Sequence, residues 1–436
     1  MPGLPIADIP HPMAGQPEER VAEIAADAVP EILRILTGDP ARLEEEYEKK
    51  IVAPRGRLRH KGLFGDEFST DRAPEKFKAP SSLEAVQRLF YLRGWTDGLP
   101  IIPPTEERVA QMLERWGGDP DEVVGLVAPR RGEATVKKIA INAAMAGCLP
   151  EHLPVVIAAT RAMIRSEFGL YGLQTTTHPC TVLVLTNGPL ADSLEINAGY
   201  NAMGQGKMAN AVIGRAIRLV LTNIGGGSPG VLDRSTMGSP AKYSFCFAEN
   251  EEQSPWEPLH VERGFPKTQS TVTVCGVEGP HNVNDHGSQT GEEVLLTIAG
   301  VLATPGTNQI YLGGEPLIVL GPEHAAAVAK SGFSKLDVKR YLFEKARVPV
   351  HLISQGNMER FQKLWPQRFA NLPEEASVPI SETPEDIMVI VAGGMGRQSA
   401  VIPTFGTTKA VTLAVTDKDD KPILAERKKR PVHDDN

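Results

Sequence analysis

The chain has 436 residues, of which 41% are hydrophobic and 23% are charged, so it can bury a full core and form two domains. Its formal net charge of −8 provides no positive field for nucleic acid or anionic lipid, which argues against both classes of partner. The sequence lacks a run of about 18 apolar residues and a recognisable secretory signal, so we expect a cytoplasmic protein without a membrane span.

Residues 1–80 are predicted to form an N-terminal helical and extended arm. Apolar side chains recur at helical spacing over 18–36, where Pro30 is expected to kink or split the helix. The basic stretch 54–61 that follows could bind an anion or a partner chain. A solvated linker is the more common role for such a charge run.

A first domain is predicted over 81–265, opened by a capping box of Ser81 and Glu84. The apolar helices 134–148 and 152–165 are expected to form a buried hairpin. In chain order we predict helices at 81–93, 105–116, 134–148 and 152–165, a buried strand at 181–185, a helix at 207–223 and a strand at 242–248.

A second domain is predicted over 266–420, followed by a charged tail over 421–436. In chain order we predict a strand at 270–277, a helix at 290–302, strands at 308–312 and 316–320, helices at 322–331 and 334–346, and strands at 349–353 and 386–392. Alternation of strands and helices predicts an α/β protein with two lobes and mixed, mainly parallel sheets covered by helices.

The densest polar cluster follows the strand that ends near residue 277 and contains Glu278, His281, Asn282, Asp285 and His286. His281 could be a general base oriented by Glu278 or Asp285, with Asn282 binding substrate. Alternatively, His281, Asp285 and His286 could hold one divalent metal ion, although their spacing is no recognised ligand pattern. The competing interpretation is a loop that caps the helix beginning near Thr290.

Two further histidines are candidates for acid–base chemistry. His324 lies at a strand-to-helix junction, where a neutral imidazole could act as a base or a metal ligand, or could be a hydrogen-bonded structural residue. His178 follows three threonines and precedes Cys180 by two residues. A small buried hydrophobe is the favoured role for Cys180, which leaves His178 as the better polar candidate.

Three loops could bind substrate, although plain tight turns are the competing interpretation of the glycine loops. Gly393, Gly394, Gly396 and Arg397 follow a strand and could present N–H groups and a guanidinium to an anion. The segment 204–207, Gly-Gln-Gly-Lys, enters a helix and could do the same, and Asn187 ends a buried strand.

The acidic segment 249–252 could bind a cation after its strand. A solvated loop is the more common role for such a cluster.

Four segments, at 95–105, 135–159, 209–226 and 242–256, resemble a bacterial family whose members resemble or accompany proteins with a Sec/Cys-Gly-Ser-Cys (UGSC-type) redox motif. The resemblance covers most of residues 90–400. This chain lacks the Cys-Gly-Ser-Cys sequence, so the resemblance implies the partner type of polypeptide in a metabolic enzyme system.

We therefore expect a homo-oligomeric enzyme that acts on a small polar or carboxylated metabolite by histidine acid–base chemistry, as a hydrolase or lyase that works with or without one divalent metal ion. The alternative is a non-catalytic or co-catalytic subunit that docks a UGSC-type redox protein through the arm and the hairpin 135–165. A redox enzyme that uses Cys180 or Cys148 directly is a third hypothesis.

Overall fold

A computed structural model describes residues 17–43, 46, 76–406 and 408–425. The chain divides into two compact units, Met1–Pro100 and Ile101–Asn436. The basic stretch 54–61 and residues 426–436 of the charged tail lie outside the described residues. No helix in the described part of the chain is long and apolar enough to cross a membrane.

The first unit contains helices α1 (Glu18–Thr37) and α2 (Leu83–Leu92). Helix α1 continues through Pro30, so the predicted split does not occur. The cap of α2 is Ser82, whose hydroxyl accepts the N–H of Ala85, one residue after the predicted cap.

The longer helices of the second unit begin and end close to their predicted positions, except the helix at 355–364, which was not predicted. They are α3 (Glu106–Trp116), α4 (Val136–Ala146), α5 (Leu153–Met163), α8 (Met208–Asn223), α10 (Gly291–Leu302), α12 (Pro322–Lys330), α13 (Lys335–Lys345) and α14 (Gln355–Leu364). Shorter helices are α6 (Leu170–Thr175), α7 (Pro189–Ser193), α9 (Leu259–Glu262), α11 (Gln309–Leu312) and α15 (Pro366–Phe369). The predicted strand at 308–312 is therefore wrong, because α11 occupies this segment.

Two four-stranded sheets form the centre of the second unit. The first has the order β12-β5-β3-β4, with β3 (Thr181–Asn187), β4 (Cys246–Ala248), β5 (Thr271–Val277) and β12 (Val411–Ala414). The second has the order β10-β7-β11-β6, with β6 (His281–Asn284), β7 (Leu317–Leu320), β10 (Met388–Val391) and β11 (Gln398–Ile402). Two small antiparallel sheets of two strands each complete the described strands, β1 (Val123–Val127) with β2 (Gly132–Thr135) and β8 (Arg347–Pro349) with β9 (Ser377–Pro379).

The two sheets pack face to face through alternate side chains of their strands. Leu183 and Leu185 of β3 share one buried cluster with Leu317 and Val319 of β7. The intervening residues point outward, so that Ile318 contributes to a second core with α10, α12 and α13. Helices α5 and α8 cover the outer face of the first sheet, which gives the order helices, sheet, sheet, helices.

This architecture confirms the predicted α/β class with mixed sheets covered by helices. Within the two four-stranded sheets only β3–β4 and β7–β10 are parallel, so the sheets are not mainly parallel. Strand β5 lies beyond residue 265 and pairs with β3, so the predicted boundary at 265 does not separate the two sheets. Nearly every residue of α5 is buried, so this half of the predicted docking hairpin offers no open face.

Candidate active site

A histidine and a glutamate come together where β3 begins and β5 ends. Nε2 of His178 lies 3.1 Å from Oε1 of Glu278, and the two side chains are 19% and 20% exposed. The antiparallel register pairs Thr181 with Val277, which places the residues before β3 beside those after β5. Two predicted catalytic residues, distant in the sequence, are thus brought into contact by the sheet.

The loop around His178 is held by several local contacts. Its backbone N–H donates to the hydroxyl of Thr176 at 3.1 Å, and Pro179 favours extended backbone at the histidine. The ring of Phe405 packs against the imidazole, with 5.8 Å between the ring centroids. Nδ1 of His178 is buried and has no hydrogen-bond partner among the described residues. Because Nε2 faces a carboxylate, a neutral ring carries its proton on Nε2, and Nδ1 is then a buried acceptor.

Asn308 and Ser239 lie near the segment 278–279, and each has an unpaired side-chain atom among the described residues. The backbone N–H of Asn308 lies 3.5 Å from Oε1 of Glu278, while its Nδ2 is buried without a partner in the described structure. Oγ of Ser239, likewise buried and unpaired there, lies 4.0 Å from where a Cβ would stand on Gly279. A buried unpaired polar group costs roughly 1–3 kcal/mol, so such a cluster is expected at a ligand site.

A second polar cluster lies at the other end of β3. The parallel pairing of Thr186 with Ala248 places Asn187 beside Glu249, which is 1% exposed. The amide of Asn187 donates to Oε2 of Glu249 at 2.7 Å and to Oε1 of Glu251 at 3.2 Å. Burial raises the pKa of Glu249 to about 7. This part of the acidic segment is therefore not a solvated loop, and Asn187 binds carboxylates of its own chain.

His324 is held by two hydrogen bonds inside the second sheet and its helices. It is 2% exposed, its Nε2 lies 2.9 Å from the carbonyl oxygen of Asp285, and its Nδ1 lies 2.7 Å from Oγ of Ser399. Because a carbonyl only accepts, Nε2 donates and Nδ1 of the neutral ring accepts from the hydroxyl. Both nitrogens are used, which is the arrangement of a structural histidine.

The predicted metal ligands are not assembled. Among the described residues no group of three or more His, Cys, Asp or Glu side chains is placed to hold a metal ion. His281 and Asp285 lie roughly 13 Å apart along an extended segment at about 3.3 Å per residue. Burial raises the pKa of Asp285, but hydrogen bonds from Ser288 and Thr297 to its carboxylate lower it to about 2.

The remaining residues of this predicted cluster lie on or beside the exposed edge strand β6. His281 and Asn282 are exposed, and Nδ2 of Asn282 donates to Oε1 of Gln398 at 2.6 Å. The side-chain amide of Gln398 donates a hydrogen bond of 2.9 Å to Nε2 of His286. Within the described residues, Glu278 is the member of this cluster whose side chain contacts the side chain of another predicted catalytic residue.

The glycine loop 393–397 is occupied by groups of its own chain. The carboxylate of Glu323 accepts the N–H groups of Gly396 and Arg397, and these bonds lower the pKa of Glu323. The N–H of Gly393 donates to the carbonyl of Ala198 at 2.8 Å. The ring of Tyr200 lies close against Gly394, since a Cβ added there would stand 2.0 Å from it. The guanidinium of Arg397 donates to the carbonyls of His286 and Ser288.

All four cysteines are buried and free within the described part of the chain. Burial raises the pKa of the Cys180 thiol to about 12, and it raises the pKa of Cys148 as well. Sγ of Cys180 lies 3.8 Å from the carbonyl oxygen of Leu173. Cys180 therefore has the surroundings of a small buried hydrophobe, and its thiol is not activated by His178.

Ser239 and Asn308 were not singled out in the sequence. Both lie in loops far from His178 along the chain, and neither belongs to a recognisable motif. They become candidates for substrate binding only when the fold shows that their polar side-chain atoms are buried and unpaired among the described residues. Asn308 precedes α11, in a segment that the sequence predicts as a strand.

The sequence matches no protein-family model, and comparisons with curated proteins and with solved structures give no match.

Proposed function

We propose that this protein is an enzyme that acts on a small polar or carboxylated metabolite, with His178 as the general acid–base and Glu278 as its orienting carboxylate. The observation that carries the proposal is the 3.1 Å contact between Nε2 of His178 and Oε1 of Glu278, with Nδ1 unpaired among the described residues. A carboxylate beside one ring nitrogen favours the proton there and leaves the other nitrogen as the base.

In this mechanism Nδ1 of His178 takes a proton from water or from the substrate. The imidazolium formed is stabilised by Glu278, and it then returns the proton to the leaving group. Hydrolysis and elimination both need this transfer, so a hydrolase or lyase fits the site. Asn308 Nδ2 and Ser239 Oγ supply hydrogen-bonding groups for a polar substrate.

The experiment begins with a panel of small carboxylated metabolites whose consumption by the purified protein is followed by mass spectrometry. On the substrate found, His178→Gln is expected to lower kcat by roughly 10²–10⁴-fold, the usual contribution of a general base. Glu278→Gln should cause a smaller loss. The exposed His351 provides the matched control, since His351→Gln should retain activity.

A parallel arm tests His281, the competing histidine. Loss of activity in His281→Gln together with full activity in His178→Gln would overturn the proposal. A measurement independent of activity is ¹⁵N NMR of the imidazole, in which His178 should carry its proton on Nε2 in the wild type. That preference should weaken in Glu278→Gln, because the orienting charge is gone.

A further inference from the structure

A cavity of about 250 Å³ lies in the second unit, and its wall contains none of the residues assigned to the active site above. The wall includes Glu151, His152, Glu195, Lys207 and Met208. Such a volume lies just below the usual range of ligand pockets, so it fits only a small molecule.

The positive end of helix α8 reaches this cavity. The helix has 16 residues, begins at Met208, and has no side-chain cap among the described residues. Asn210, in its first turn, uses its side chain elsewhere: Oδ1 accepts from the N–H of Asn197 and Nδ2 donates to the carbonyl of Ala202. The first N–H groups of a helix favour an anion, and Met208 and Ala209 both line the cavity.

A buried histidine adds a second donor, independent of the helix. His152 is 3% exposed, and its Nδ1 accepts the N–H of Leu149 at 3.2 Å. The proton of the neutral ring is therefore on Nε2, which has no hydrogen-bond partner in the described structure. Burial lowers the pKa of His152, which keeps this N–H a neutral donor near pH 7.

The wall of the cavity carries both signs of charge. Nζ of Lys207 lies 3.8 Å from Oε2 of Glu195, with side chains 54% and 73% exposed, so their ion pair is weak and exchangeable. Glu151 adds a second carboxylate. Two carboxylates disfavour a multiply charged anion and attract an amine.

We infer that this cavity binds a small amino carboxylate. Its carboxylate accepts from the first turn of α8 and from Nε2 of His152, with Lys207 as the neutralising charge. Its amine lies against Glu151 or Glu195. The site takes no part in the chemistry of His178 and Glu278, so it stands or falls separately from the proposed function.

The test is isothermal titration calorimetry of the full chain with L-serine, L-glutamine, acetate and inorganic phosphate as separate probes. At least one amino acid should bind with a Kd below about 10 mM and more tightly than acetate or phosphate. Lys207→Met should weaken that binding about tenfold, which corresponds to about 1.4 kcal/mol. The exposed Lys267 provides the control, because Lys267→Met should leave Kd unchanged.

The remaining outcomes overturn the inference. If neither amino acid binds, the cavity is not an amino-carboxylate site. If acetate or phosphate binds as tightly as the amino acids, then Glu151 and Glu195 do not bind an amine. Equal Kd values for Lys207→Met and the wild type would place any binding elsewhere.

Discussion

The side-chain amide of Asn187 donates a hydrogen bond of 2.7 Å to the buried carboxyl group of Glu249, which joins the ends of two parallel strands. Oε2 of Glu249 also accepts the N–H of Leu259 at 2.8 Å, whereas Oε1 has no partner among the described residues. The unpaired oxygen is the natural position for a proton. The strand ends are therefore tied together by an acid that is protonated over an unusually wide pH range.

Glu249 should make the protein less stable as the pH rises. Its folded pKa is about 7, above the ordinary value of 4.5, so the folded state binds more protons than the unfolded state between these values. The free energy of unfolding should fall across this window by about 3 kcal/mol from this group. Glu249→Gln cannot ionise, so it should flatten the dependence measured by urea unfolding at pH 5 and pH 8.

The matched control is the exposed Glu252 of the same segment, because Glu252→Gln should leave the pH dependence unchanged. A wild-type free energy of unfolding that rises from pH 5 to pH 8, and rises equally in Glu249→Gln, would contradict the raised pKa.

His324 should contribute to stability and not to turnover. His324→Leu removes the hydrogen bonds to Ser399 and to the carbonyl of Asp285, so that the carbonyl loses its imidazole donor and Ser399 keeps only the N–H of Gly321 as a partner. The expected cost is about 2–4 kcal/mol in the free energy of unfolding, with activity per folded molecule retained. The exposed His281 is the reference, since His281→Leu should change stability by less than about 0.5 kcal/mol. A folded but inactive His324→Leu protein would show the histidine to be catalytic.

Gly321 should tolerate no side chain, because two strands approach closely there. A Cβ at this position would stand 2.1 Å from the carbonyl oxygen of Gln398. Gly321→Ala is therefore expected to destabilise the protein by about 1–3 kcal/mol, measured by urea unfolding. Gly287→Ala is the control, because a Cβ there meets nothing within 4 Å. Equal stability of the two variants would mean that β7 and β11 separate easily.

The four cysteines should resist alkylation while the protein is folded. Burial raises the pKa of Cys180 and Cys275 to about 12, so almost no thiolate exists near neutral pH. Mass spectrometry after treatment with iodoacetamide should show no adduct on the native protein and four after unfolding. Rapid modification of Cys180 in the native protein would instead support the hypothesis of a thiol-based enzyme.

Much of the fold could be predicted because its signals are local. Thr290 and Glu293 form the capping box that opens α10, and Thr105 and Gly117 bound α3. The continuous burial of β3 is also visible as an unbroken apolar run. Helix α11 was missed because four residues carry too little periodicity to separate a helical turn from a short strand.

The pairing of strands could not be predicted in the same way. The contact of His178 with Glu278 depends on the antiparallel register of β3 and β5, which no segment encodes alone. The sequence identified both residues but assigned Glu278 to His281 as its partner. For His324 and Asp285 the prediction from residue type was misleading. Both are common catalytic residue types, but here their side chains form hydrogen bonds within their own chain.

The edge strand β12 is synthesised long after β5, the strand with which it pairs. The hydroxyl groups of Thr273 in β5 and Thr412 in β12, which are 139 positions apart in the sequence, are hydrogen-bonded at 2.8 Å. Because the ribosome releases the chain from its N-terminal end, β5 emerges long before the strand that covers its open edge. During that interval β5 exposes unpaired N–H and carbonyl groups, which are the features that recruit chaperones or neighbouring nascent chains.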